Sequence, residues 1–76
     1  MAVDQRKWVN AGYSEEKQAY LLDYYENDTL QCTMLGYPDY ATNVFKVYPH
    51  ARMRYGKYPQ VRAVAFADVK SPKVYK

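Results

Sequence analysis

Reactive side chains are scarce in this chain, which holds one cysteine, Cys32, and one histidine, His50. A Cys–His nucleophilic pair needs an exposed, activated thiol with the imidazole beside it. Cys32 alternates instead with Leu30 and Met34, between Thr29, Gln31 and Thr33, a period that places its thiol on the inward face of a half-buried strand. A free cysteine there is an inert small hydrophobe. Glu15, Glu16, Asp23 and Glu26 gather on one face when 15–26 is projected as a helix. With no Cys/His cluster at ligand spacing in the chain, they read as a solvated surface and not as a metal or acid/base site. Gly12, Gly36 and Gly56 are too scattered to form a phosphate-cradling loop. No catalytic residue, metal or cofactor is predicted, and the chain is expected not to be an enzyme.

Binding chemistry is better supplied. From Lys46 to Arg62 cations interleave with rings: Lys46, Tyr48, His50, Arg52, Arg54, Tyr55, Lys57, Tyr58 and Arg62. Cations neutralise phosphates and ring faces stack on bases, which is how single-stranded nucleic acid is held. The predicted contact residues are Lys46, Arg52, Arg54, Tyr55, Lys57, Tyr58 and Arg62, and the predicted partner is an anionic macromolecule, either nucleic acid or a nucleoprotein complex. Tyrosine, tryptophan and arginine also dominate protein interfaces. The alternative is therefore an accessory subunit or inhibitor, of the compact kind that viruses and mobile elements encode, docking on a larger protein. A plainer reading competes with both: tyrosines as core filler with hydroxyls reaching water, and basic residues as an ordinary solvent face and edge protection. Tyr20, Tyr24, Tyr25 and Tyr48 are the expected core tyrosines. Trp8 reads either as a lid on the core or as an exposed anchor.

Composition sets the scale on which such a surface must be held. The chain has 76 residues, and 10 of them are tyrosine while none is isoleucine. A domain of this size buries only about 60% of its unfolded surface, so its stability margin is thin. Few leucines and valines with high charge would mean disorder, but the net charge is only +3 and aromatics reach 17%. A single small folded domain over 1–76 with a partly tyrosine core is expected. A transmembrane helix, a disulfide scaffold and a large enclosed cavity are excluded at this stage. The single cysteine and the lack of a signal-like N-terminus point to a reducing compartment, the cytoplasm, or a host's cytoplasm for a viral gene; the sequon Asn27-Asp28-Thr29 is then idle. Residues 1–30 carry three cations against six carboxylates, net −3, and residues 31–76 eight against two, net +6. Such asymmetry steers partners or lets the halves face each other.

The elements that would position these residues read as follows. A helix is predicted from about Glu15 to Glu26, with Ser14 as N-cap, acidic residues in its first turn, and Tyr20, Leu21, Leu22, Tyr24 and Tyr25 on one arc. Asn27-Asp28 stops it. A strand follows over 29–34 and ends in a turn at Gly36-Tyr37-Pro38-Asp39. Residues 43–48 read as a strand ended by Pro49, with a short helix over 41–48 after Asp39 as the alternative. The last third reads as a hairpin: Arg52–Tyr55, a turn at Gly56-Lys57-Tyr58-Pro59, and a strand Val61–Val69 with small residues Ala63, Ala65 and Ala67 on its packed face. A short basic tail covers 71–76. The predicted fold is α+β, one amphipathic helix packed on a small antiparallel sheet of three to four strands, with an acidic helical part over 1–30 and a basic, tyrosine-rich β part over 31–70.

Overall fold

Asn27 and Asp28 both adopt positive φ, 52° and 65°, and Glu26 pairs with Thr29 directly across them. A two-residue turn with both φ positive is the connection whose twist matches two antiparallel strands. The chain on both sides is therefore strand, where a helix was predicted on one side. The computed structural model describes residues 8–70, so the predicted basic tail lies outside the described residues. Four strands form an antiparallel meander: β1 (Trp8–Ser14), β2 (Ala19–Glu26), β3 (Thr29–Asp39) and β4 (Val44–Arg54). β5 (Ala63–Ala65) adds to the outer side of β4. One 3₁₀ turn, Phe66–Asp68, then leads to β6 (Val69–Lys70), which pairs parallel with β1. The order is β5-β4-β3-β2-β1-β6. Three residues join the two outermost strands, so the sheet must curl until its edges almost meet. The result is a nearly closed, barrel-like sheet with no α-helix among the described residues, which overturns the expected helix on a three- to four-stranded sheet.

The helix prediction failed for a physical reason visible in residues 14–26. Ser14 does accept the Lys17 amide at 3.2 Å, as an N-cap would. Gln18 then turns left-handed (φ 56°) and ends the turn after four residues. Tyr20, Leu22 and Tyr24 face the core along the following strand, and spacings of two and of four share those positions. Period alone therefore could not separate strand from helix. Tyrosine-rich sequence favours the pleated form, and a lone helix of twelve residues is marginal in water. On the outer face, Thr33 Oγ1 donates to Asp23 Oδ1 at 2.6 Å across the β2–β3 ladder.

Three further corrections follow from pairing. The predicted turn at Gly36–Asp39 is strand, because the chain turns only at 40–43, where Asn43 (φ 61°) donates its amide to Asp39 O at 2.8 Å. Pro38 is tolerated because β2 ends its pairing at Gly36, which leaves that stretch of β3 with an edge. Pro49 likewise does not end β4; it pairs with Met34 beyond the reach of β5. The next pair is Cys32 with Arg54, so Thr33 alone opposes His50, Ala51, Arg52 and Met53, a bulge larger than the usual two-against-one kind. Finally, no Arg52–Val69 hairpin forms. β5 pairs with the start of β4, Val64 is buried, and Ala63 and Ala67 are exposed, so the small residues face outward.

The core is Trp8, Leu22, Cys32, Met34, Phe45, Val47, Val64 and Val69, with Tyr20, Tyr24, Tyr58 and Phe66 packed against it. Trp8 is a core residue, its ring 4.8 Å from that of Tyr24. Tyr48, expected inside, is 52% exposed. Gly36 is required here because a Cβ at that position would sit 2.7 Å from Leu22 Cδ1 and 3.2 Å from Phe45 Cδ1. Both neighbours are fully buried and have no room to yield. Gly36→Ala is expected to destabilise by about 1–3 kcal/mol, the usual cost of overpacking, read as a lower urea midpoint at unchanged slope.

Candidate functional site

Alternation along β4 sends Phe45 and Val47 inward and Lys46 and Tyr48 outward. On β3, Gly36 is inward and Leu35 and Tyr37 share the outer face, opposite Tyr48 and Lys46 respectively. The Tyr37 and Tyr48 rings meet on the diagonal, 5.5 Å apart and 79° to each other. Diagonal contacts of this kind are within reach of aromatic side chains on a sheet face.

β5 completes the site. Ala63 pairs with Lys46, and the Val47 amide donates to Arg62 O at 3.0 Å. Beyond that bond the chain peels away from β4, which opens a groove of about 520 Å³ lined by Lys46, Val47, Tyr48, Pro49, Val61, Arg62 and Ala63. Arg62 has the parity of inward Val64, yet it lies past the ladder and remains exposed. Lys46 approaches Asp39 at 3.8 Å with its side chain 56% exposed. Exposed pairs contribute only about 0–1 kcal/mol, so the ammonium remains available to another anion.

The seven predicted contact residues divide between this groove and the far end of β4. Lys46 and Arg62 line the groove. Arg52 lies in the bulge, exposed. Arg54 places its guanidinium 5.2 Å from the Tyr58 ring centre and donates to Gly56 O at 3.1 Å. Tyr58 itself packs against the core with its hydroxyl buried. Tyr55 is 65% exposed, and Lys57 lies 3.9 Å from Glu26. Gln31 anchors this end: its carbonyl accepts from the Tyr55 and Gly56 amides, and its side chain from the Lys57 amide. Among the described residues no carboxylate lies within ion-pair distance of Arg52, Arg54 or Arg62. Sequence reasoning missed Tyr37, Tyr48, Pro49 and Val61 as surface residues of one site. The signal for Tyr48 was present, because Phe45-Lys46-Val47-Tyr48 alternates apolar with polar or amphipathic.

Cys32 is fully buried, and burial pushes its thiol up to about 11, with Asp23 raising it further and Arg54 partly opposing. At pH 8 only about one folded chain in a thousand then carries the thiolate. Alkylation of native protein at pH 8 is expected to run at least ~100-fold slower than in denaturant, with mass spectrometry as the readout. Comparable rates would show that the thiol is open. No cluster of three His, Cys, Asp or Glu side chains able to hold a metal ion occurs among the described residues. No helix among them is long and apolar enough to cross a membrane. No family model, curated protein or solved structure matches the chain.

Proposed function

We propose that the chain is a non-enzymatic nucleic-acid-binding domain whose contact surface is the groove between β4 and residues 61–63. One observation carries this reading: Lys46, Arg62 and the exposed ring of Tyr48 line the same open groove. Cations that meet phosphates and a ring that meets a base are the components such binding requires. Arg52, Arg54 and Lys57, with the exposed Tyr55 among them, continue the cationic run along β4 and the loop after it, and these three cations add to the attraction at low salt. A cytoplasmic setting belongs to the same proposal, since a buried free thiol needs no oxidising compartment.

Salt dependence counts the cations in contact. For a single strand the slope of log affinity against log salt is about −0.7 per phosphate neutralised. Contact by Lys46 and Arg62 alone weakens binding about sevenfold between 50 and 200 mM salt; contact by all five cations from Lys46 to Arg62 weakens it about 130-fold. The groove reading expects the smaller figure from fluorescence anisotropy of a labelled 12-mer. Absence of binding at 50 mM salt overturns the proposal.

The protein-docking reading, which the sequence rests on the same tyrosines and arginines, finds a second patch in the structure. Tyr13 and Tyr40 are 53% and 52% exposed, and they cap an aromatic row through Tyr20, Phe45 and Phe66. A partner bound there would be insensitive to changes at Lys46 and Arg62.

A further inference from the structure

We infer that the groove takes one unpaired nucleotide of a single strand, its base on the Tyr48 ring and its flanking phosphates at Lys46 and Arg62, and that it does not take a duplex. This inference rests on the nucleic-acid reading above and narrows it to a substrate class.

Shape comes first. A volume of about 520 Å³ falls within the roughly 300–1,000 Å³ of sites that hold drug-sized molecules, a class that includes a nucleotide. A duplex is read by a protruding helix or two-stranded ribbon that enters a groove about 12 Å wide. A concave surface presents neither.

Ring geometry comes second. Tyr37 stands nearly perpendicular to Tyr48, and a perpendicular neighbour occupies at most one face of a ring. Tyr37 therefore leaves at least one face of the half-exposed Tyr48 ring uncovered, and only an unpaired base can leave its own stack to reach such a face. Pro49 and Val61 add apolar wall beside that ring, Val61 being 41% exposed. Apolar wall favours a base over a phosphate. Charge comes third, because two cations suit one nucleotide with its flanking phosphates, whereas tight duplex binders contact many phosphates.

The test compares four labelled probes at 50 mM salt: a thymidylate 12-mer, a uridylate 12-mer, an abasic DNA strand of equal length, and a blunt 12-base-pair duplex. The two single strands are expected to bind at least tenfold tighter than the duplex. Tyr48→Ala is expected to weaken single-strand binding roughly 5- to 150-fold, the loss of one base–ring stack, with no change on the abasic strand. Tyr48→Phe keeps the ring and is expected to retain affinity. Tyr48→Phe also keeps the contact with Tyr37 and is expected to melt as the parent does, whereas Tyr48→Ala loses it and is expected to melt a few degrees lower while remaining folded. Equal affinity for duplex and single strand overturns the inference and leaves the nucleic-acid reading intact, as does an equal loss on the abasic strand with Tyr48→Ala. No binding of any probe overturns both.

Discussion

Phe45→Ala is expected to remove a large part of the folding margin, about 3–5 kcal/mol, and to shift the urea midpoint far downward. Phe45 is fully buried and pairs with Val64 on β5 and Pro38 on β3. Its ring also meets those of Tyr20 at 5.6 Å and Phe66 at 4.8 Å. It therefore links the meander to the 3₁₀ turn that brings the last strand back to β1. Truncating a buried phenylalanine costs about 3–5 kcal/mol. A 76-residue domain holds roughly 4–11 kcal/mol in all, at about 0.05–0.15 kcal/mol per residue. The barrel's closure runs through this side chain, and no isoleucine and few leucines are present to compensate. Urea unfolding followed by circular dichroism is the measurement. A loss under about 1 kcal/mol would show that Phe66 and Tyr20 close the core without it.

Reversing both groove cations, Lys46→Glu with Arg62→Glu, is expected to lower single-strand affinity by at least ~100-fold with little change in melting temperature. Hydrogen bonds to charged groups are each worth about 1.5–3 kcal/mol, and two lost contacts amount to roughly 150-fold or more. Both side chains are exposed, so folding should not depend on them. A glutamate at 46 would face Asp39, a repulsion of a few tenths of a kcal/mol at an exposed site. The milder pair Lys46→Ala with Arg62→Ala removes that complication and is expected to lose affinity in the same direction. Unchanged affinity in either pair would move the contact surface elsewhere, with the Arg52–Lys57 end of β4 the next to vary.

Much of the strand content was legible in the sequence. The alternation of Leu30, Cys32 and Met34 predicted β3 and the buried thiol, and Phe45-Lys46-Val47-Tyr48 carried the strand period of β4. Residues 15–26 were misread because Tyr20 and Tyr24 fit both periods, and the decisive feature was the pair of left-handed residues Asn27 and Asp28. Asn-Asp reads as a helix stop in the sequence but forms a hairpin turn in the fold. Prolines misled for a related reason: a proline is excluded from a strand only where its missing N–H would face a neighbouring strand, and Pro38 and Pro49 each lie where one side of the strand is unpaired. Closure itself was not legible, since the parallel pairing of Val69 and Lys70 with Trp8 and Val9 joins chain ends through no local pattern. The groove shared that fate. Lys46 and Arg62 were among the predicted contacts, but their common groove depends on the Val47–Arg62 hydrogen bond, a pairing fixed by register across fifteen residues.

The most direct test of the account is an amide chemical-shift map on adding a thymidylate 12-mer at low salt. The account expects the largest shifts at Lys46, Val47, Tyr48, Val61, Arg62 and Ala63. Shifts confined to the Tyr13–Gln18 and Tyr40 end, or no shifts at all, would contradict it.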